Sequence, residues 1–270
     1  MRVYVLSSSY FKLFRSELKL KIISSLLSEE KKLNTLREEL GSSGSTIIHA
    51  LKDLEAMNLT QQEGKHYKLT SLGVMEAILI EEASSAVKVL ERFQDFWLQH
   101  DVSTIPSHLL QRIGALQDSA LIQDNSIALD RVHLTFQQLL LTSRRVWGVS
   151  PIFHSDYVGA FQRLLSEGAT VELILTSGVL DKTLTLADTE QIIDYIKRDK
   201  LRIFLTDELK IALTVTENSF SMGLFTKDGE YDYSRDLVSN SPKAIEWGEE
   251  LFQHHLKDAR RLDTDNLDLL

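Results

Sequence analysis

Nine side chains between residues 42 and 68 carry chemistry that engages phosphate. Ser42, Ser43, Ser45, Thr46, His49 and Lys52 come first, and Lys65, His66 and Lys68 follow after a gap. Hydroxyls bond phosphate oxygens or base edges, ammonium groups pair with phosphate as point charges, and imidazole can do either. No arginine stands among them, and a bidentate arginine is the commonest reader of guanine. The set should hold a nucleic-acid backbone while discriminating sequence only modestly. Solvation of a polar surface accounts for any one of these residues taken alone.

A second cluster joins cations, rings and imidazole: Arg144, Arg145, Trp147, His154 and Tyr157. It is assigned to the C-terminal end of a predicted strand, where open α/β sheets place ligands, and is the candidate effector pocket. The competing reading is that either arginine pairs with a nearby acid. Other groupings point to metals less well. His254 and His255 are neighbours on a predicted helix and point apart, so a shared ion would need further ligands. Glu246, Glu249 and Glu250 around Trp247 are explained equally by an acidic helix face. Asp228, Asp232 and Asp236 in a glycine-containing loop suggest calcium but lack the twelve-residue loop with its closing glutamate. The chain contains no cysteine, which removes disulfides, thiolate metal sites and cysteine redox sensing. No metal and no cofactor are expected.

The first set needs three helices and a hairpin to position it. Ser16 can cap a helix whose apolar positions Leu18, Ile22, Ile23, Leu26 and Leu27 recur at helical spacing. A second, shorter helix spans residues 33–40 and stops at Gly41. Ser43 or Ser45 caps a third through Ile47, Leu51, Leu54 and Met57. Helix, helix, glycine-containing turn and helix make the helix-turn-helix pattern. Residues 59–70 then read as two short strands around a Gly64-Lys65 turn, a hairpin that forms a wing. From Thr70 to about His100 an apolar stripe of Met75, Ile78, Leu79, Ala83, Ala86, Leu90, Phe93 and Trp97 predicts one long helix. Such a stripe pairs with its copy in a second subunit or packs on the chain's own second domain, and the pattern does not choose between them. A short helical stretch is expected over 109–122.

Beyond Asp124 the pattern predicts a helix through Leu129, Val132, Phe136 and Leu140, then strands at 145–150, 170–176 and 201–206 separated by helices at 156–167 and 188–199. A hairpin of strands at 211–216 and 219–226 and a closing helix at 242–256 complete it. The fold class is therefore mixed α+β and α/β: an N-terminal winged helix-turn-helix, a long connector helix and a C-terminal α/β domain with a mixed sheet. Domains are expected at 1–79, 80–125 (connector and dimerisation) and 126–270.

The element order, with Tyr67, Leu69, Thr70, Leu72 and Gly73, resembles winged-helix domains of the ArsR and MarR type over residues 13–79. In such domains the third helix enters the major groove of duplex DNA. Three later stretches, residues 211–225, 228–233 and 244–252, resemble the sensor domain of archaeal regulators known as the FilR1 middle domain, over residues 126–262. That resemblance implies a regulator whose C-terminal domain receives a signal, without naming the ligand. The strand-helix alternation also resembles the phospholipase D sheet, whose chemistry requires His-x-Lys followed by Asp. One His-x-Lys of the chain, His66-Tyr67-Lys68, has Gly73 where that Asp is needed, and the other, His255-Leu256-Lys257, has Leu262 there, so no enzyme is expected.

Charge agrees with this division. Residues 1–72 hold 11 Lys and Arg against 8 Asp and Glu, a net +3, whereas the rest holds 19 against 31, a net −12. One end is suited to phosphate and the other is repelled from it. Apolar runs such as 74–80 and 171–175 fall far short of the ~20 residues that span a bilayer, and the first residues lack a small-residue cleavage site, so a cytoplasmic protein with no membrane partner is expected. The expected partners are double-stranded DNA, a second copy of the chain as homodimer, and an unidentified effector ligand or partner protein. Two alternatives stay open: an interaction adaptor that uses the winged helix as a docking surface, and a small-molecule-binding protein with vestigial DNA binding.

Overall fold

The computed structural model describes residues 13–124 and 130–262. The chain divides into two compact units, Met1–Ser85 and Ala86–Leu270.

In the first unit, helix α1 (Glu17–Ser28) begins at Ser16, whose hydroxyl accepts the Lys19 backbone N–H, and buries Ile22, Ile23 and Leu26. A two-residue strand β1 (Lys31–Lys32) leads into α2 (Leu33–Leu40), which ends where Gly41 turns left-handed at φ 60°. Helix α3 (Gly44–Ala56) follows and buries Ile47, Ala50, Leu51 and Leu54. Strands β2 (Thr60–Glu63) and β3 (His66–Leu69) form the hairpin, and β1 pairs with β3 to give the sheet order β1-β3-β2. The winged helix-turn-helix is thus built as its residues require, with β1 an addition too short to read from periodicity.

Helix α4 (Ser71–Arg92) starts in the first unit and crosses the unit boundary. The predicted long helix breaks at Phe93, which leaves helical geometry at φ −113° and ψ 30°, and resumes as α5 (Gln94–Gln99). At the break the Phe93 ring is buried and the Trp97 indole N–H donates to the Val89 carbonyl at 3.2 Å. Side-chain burial has won over helix continuation there. The stripe divides accordingly: Phe93, Ala86 and Trp97 join the second unit's core, whereas Met75, Ile78, Leu79 and Leu90 are exposed.

The stretch expected to be helical over 109–122 is instead α6 (Ser107–Gln111), a 3₁₀ turn at Ile113–Leu116 and the strand β4 (Ala120–Gln123). Strand β4 pairs antiparallel with a strand over a hundred residues later, so local pattern could not announce it. Residues 86–123, expected as a separate connector, are built into the second unit, where Val89, Phe96, Ile105, Leu109 and Leu116 are buried.

The rest of that unit runs α7 (Arg131–Leu141), β5 (Arg145–Ser150), α8 (Ser155–Ser166), β6 (Thr170–Thr176), α9 (Ser177–Leu186), α10 (Thr189–Lys197), β7 (Leu201–Thr206), β8 (Ile211–Thr216), β9 (Phe220–Leu224), β10 (Arg235–Ser239), α11 (Pro242–Leu256) and β11 (Arg260–Arg261). The predicted helix start at Leu129 lies outside the described residues. Eight strands form one sheet in the order β11-β7-β6-β5-β8-β9-β10-β4, parallel across β7-β6-β5 and antiparallel elsewhere. Period-two alternation sends Val146 of β5 into one apolar cluster and Val149 into the other, so each sheet face has its own core. Helix α11, with Trp247 buried, covers one face, while α9 and α10 pack on the other. Among the described residues no helix is long and apolar enough to cross a membrane.

Candidate nucleic-acid interface and ligand cavity

The face of α3 opposite its buried row carries the hydroxyl set. Ser43 is the N-cap: its Oγ accepts the Thr46 backbone N–H at 3.2 Å and lies 2.9 Å from Ser45 Oγ and 2.7 Å from Thr46 Oγ1. Three hydroxyls therefore form one exposed network at a helix N-terminus, where backbone N–H groups and the helix dipole favour an anion. Ser42, half-buried, donates instead to the Leu40 carbonyl at 3.4 Å. His49 is exposed, its Nδ1 3.6 Å from Asp53, which also pairs with Lys19 at 2.7 Å. Lys52 is exposed.

On the wing, Lys65 occupies the turn beside Gly64, whose φ of 61° calls for glycine. His66 is half-buried and Lys68 is ion-paired with Glu63 across the hairpin. That bond holds the Glu63 carboxyl below its usual range and the Lys68 ammonium above its own. Lys68 must give up a carboxylate before it can reach a phosphate, and Lys65 need not. Behind the wing, the Thr70 hydroxyl donates to the Asn58 carbonyl at 2.6 Å and accepts the Gly73 N–H at 3.0 Å. A Cβ on Gly73 would stand 1.9 Å from the Leu59 carbonyl oxygen, so this glycine lets α4 touch the chain entering β2.

The second unit contains a cavity of about 530 Å³ against the sheet face that carries Gly148, Thr214 and Ser221, walled by α7 and α8. Phe136, Phe161, Leu173 and Leu175 make its apolar part. At the polar end lies Asp236 of β10. Its Oδ2 accepts from the Ser221 hydroxyl at 2.9 Å, while its Oδ1 is buried without a partner. Burial pushes its pKa up to about 6, opposed by the Ser221 bond and assisted by the negative Asp232 and Asp124. Burial likewise raises the Tyr231 and Tyr157 phenols, and Asp236 adds to both shifts. A Cβ on Gly223 would stand 2.4 Å from Tyr231 Oη and 2.5 Å from Asp236 Oδ1, so this glycine makes room for both polar groups.

Nearer α8, His133 Nε2 lies 3.3 Å from Asp156 Oδ2, and His154 Nδ1 lies 3.9 Å from the same oxygen. One ligand atom from each of the three can fall within 4.8 Å of the others, a spacing that could accept a divalent ion. Gln137 also bonds His133 Nε2 at 3.0 Å, and His133 Nδ1 is buried without a partner.

The five residues expected to form one effector pocket are separated. His154 and Tyr157 line the cavity, and Arg144, Arg145 and Trp147 do not. Both arginines stand at the N-terminal start of β5, whereas His154 and Tyr157 follow its C-terminal end. Trp147 points to the α11 side, stacks on Phe252 with ring centroids 5.9 Å apart and donates to Glu172 at 3.1 Å. The Arg145 guanidinium lies 4.2 Å over the Trp147 ring and pairs with Glu249 at 3.0 Å. Backbone N–H groups of Arg144 and Arg145 donate to Glu217 at 2.7 and 3.2 Å. Strand alternation and strand length both divide a set that sequence proximity had joined.

The remaining groupings resolve into packing. Glu250 pairs with Arg112 at 2.6 Å. Asp232 bonds His100 Nε2 at 3.0 Å and Arg235 at 2.6 Å. The His254 and His255 rings lie 5.4 Å apart at 74°, and burial lowers the pKa of His255 to about 4. Sequence reasoning had weighed Asp236 only as a calcium ligand and had missed Ser221 and Tyr231. The available signal was polar alternation in strands with an apolar opposite face: Thr214 and Thr216 in β8, Ser221 and Gly223 in β9, Asp236 in β10.

Residues 10–88 match the N-terminal domain, and residues 129–258 the middle domain, of the methanogenesis regulatory protein FilR1. The protein of that name from Methanothrix harundinacea (strain 6Ac) is 32% identical over 259 residues, which are 93% of this chain and 57% of the relative. This chain thus spans little more than half that relative's length. Among solved structures, the archaeal chromatin protein TrmBL2, described with a novel mode of DNA binding, aligns at TM-score 0.44 and 12% identity over 95% of this chain and 100% of its own. Phosphatidylserine synthase from Haemophilus influenzae Rd KW20 aligns at TM-score 0.39 and 13% identity over 53% of this chain and 39% of its own. Similarity at that level does not bear on function. The two matches lie along this chain in the order N-terminal domain, then middle domain.

Proposed function

We propose that this protein is a DNA-binding transcriptional regulator in which an ArsR/MarR-type winged helix contacts an operator and the second unit senses an effector in its cavity. The observation that carries the reading is the outward face of α3: an N-cap serine bonded to two further exposed hydroxyls, with Lys52 on the same helix and a lysine at the wing tip. Such a face offers donors for phosphates and base edges and buries no apolar group. The exposed Met75, Ile78 and Leu79 on α4 support assembly as a homodimer. Two winged helices would then share an operator, compensating for modest reading by each. An effector acts on such a dimer only by binding its DNA-competent and incompetent states unequally.

The test is fluorescence anisotropy of the full chain on duplexes from its own promoters across a salt series. Steep loss of affinity with salt, weakened further in Lys52→Ala and Lys65→Ala, is expected. A flat salt response, with both variants behaving as wild type, would replace this reading with that of a protein-interaction adaptor. Sedimentation of Met75→Glu/Leu79→Glu should yield monomers, and an unchanged mass would remove the dimer.

A further inference from the structure

We propose that the cavity of the second unit takes a small organic amine, its N–H groups donated to Asp236 and its hydrocarbon frame held among Phe136, Phe161 and Leu173. The proposal deepens the sensor reading and rests on it. A carboxylate oxygen buried with no donor is a defect that folded proteins rarely keep, and Asp236, whose Oδ1 is such an atom, belongs to the lining of a cavity roomy enough for a small molecule. Among the described residues the hydrogen bond this carboxylate accepts is that of the Ser221 hydroxyl, and it is spent on Oδ2. A ligand N–H would supply the donor that Oδ1 lacks.

The charge of the wall narrows the class. Among the described residues no lysine or arginine lines the cavity, whereas Asp124, Asp130, Asp156 and Asp236 do. An anionic ligand would be desolvated beside like charge, with only the imidazoles of His133 and His154 to set against it, which disfavours carboxylates and phosphates. A neutral alcohol could give Oδ1 a hydrogen bond but no Coulombic attraction. An ammonium gives both. Aromatic faces complete the fit: Tyr231 and Tyr233 meet at 90° with centroids 4.8 Å apart, and Phe136 lies 4.4 Å from Tyr157. Ring faces attract a cation and accept the hydrocarbon of its frame.

Binding is then linked to protons. The groups around Asp236 are Asp124 after β4, His133 on α7, His154, Asp156 and Tyr157 at α8, Ser221 on β9, and Tyr231, Asp232 and Tyr233 ahead of β10. With its pKa near 6, empty Asp236 gains a proton as pH falls, and an ammonium must displace it.

The test is titration calorimetry of the full chain with phenethylamine, phenethyl alcohol and phenylacetate, three molecules that share a ring and differ in charge, and with zinc ion alone. Phenethylamine should bind about tenfold or more tighter than the alcohol, with phenylacetate not binding. Asp236→Asn should lose that preference while its circular dichroism stays that of wild type. Amine affinity of the wild-type chain should fall from about pH 8 to about pH 5, which needs no variant to fold. Equal binding of the three, preference for phenylacetate, an unchanged Asp236→Asn, a flat pH profile, or zinc bound where the amine is not would each overturn the proposal. Because calorimetry uses no DNA, amine binding without any change in DNA affinity would remove the sensor reading alone. DNA regulation without amine binding would remove only this inference.

Discussion

The two units treat buried polarity in opposite ways. In the first, buried Lys31 reaches both oxygens of Glu39 at 2.8 and 2.9 Å, and the Thr60 hydroxyl meets the Leu51 carbonyl at 3.5 Å. Its chemistry lies outside, on α3 and the wing. In the second, among the described residues, Ser119 Oγ, His133 Nδ1, Asp236 Oδ1 and His255 Nε2 are buried without partners, and His133 and Asp236 line the cavity. An unpaired buried polar atom costs roughly 1–3 kcal/mol, so a fold retains one where something else requires it. A surface that binds a polyanion can be built on a fully satisfied core. A chamber that binds a small molecule must leave bonds for that molecule to make.

The sharpest way to break this contrast is to damage each unit at its tightest glycine or its least satisfied group. Gly73→Ala puts a Cβ against the Leu59 carbonyl oxygen and should cost the first unit about 4 kcal/mol or more. Calorimetric unfolding should then show an early transition, with DNA binding abolished and ligand binding in the second unit kept. Simultaneous loss of both activities would mean that the units are not separable. Asp236→Asn should act in the other direction. The folded pKa of about 6 lies above the unfolded value of 3.8, so the native state holds a proton that the unfolded chain releases between them. Wild-type stability therefore falls as pH rises through that window, and the penalty is complete above it. An amide escapes it, so the variant should gain roughly 3 kcal/mol over wild type at about pH 8 and much less at about pH 4. A melting-temperature difference independent of pH would show that Asp236 is satisfied in solution.

The same contrast explains what could be read from the chain. The winged helix was legible because its signals are local: Gly41 must turn left-handed, Ser43 must cap, and Gly64 must sit in a tight turn. The strands at Thr170–Thr176, Leu201–Thr206 and Ile211–Thr216 were legible for a similar reason, since each is a short apolar run between turn signals. Strand β10, whose Arg235 and Asp236 read as loop, was not. It is defined by partners far away in sequence, with Leu237 opposite Met222 and Asp236 opposite Ile122. The cavity was half legible: His154 and Tyr157 belong to it, while Trp147 looked equally suitable until the register of β5 placed it on the other face.

Smaller effects sharpen the account of the first unit. Ser43→Ala removes the cap of α3 and should cost about 1 kcal/mol of stability, with Ser43→Gly losing only a few tenths. If affinity for DNA falls equally in both, the hydroxyl itself touches the duplex. If it follows stability, Ser43 serves the helix.

The finest test compares two lysines on one hairpin. Removing one ammonium that pairs with a phosphate should flatten the logarithmic salt slope by about 0.9. Lys65 sits at the exposed tip, whereas Lys68 is already held by Glu63. An ammonium engaged by a carboxylate releases fewer counterions on reaching a phosphate, because it must first be stripped of its partner. Lys65→Ala should therefore change the slope by close to that full amount and Lys68→Ala by less. Glu63→Gln should raise affinity and give Lys68 a slope contribution of its own. Equal slopes for all three variants would mean that the wing stays clear of the backbone, leaving α3 to engage the phosphates alone.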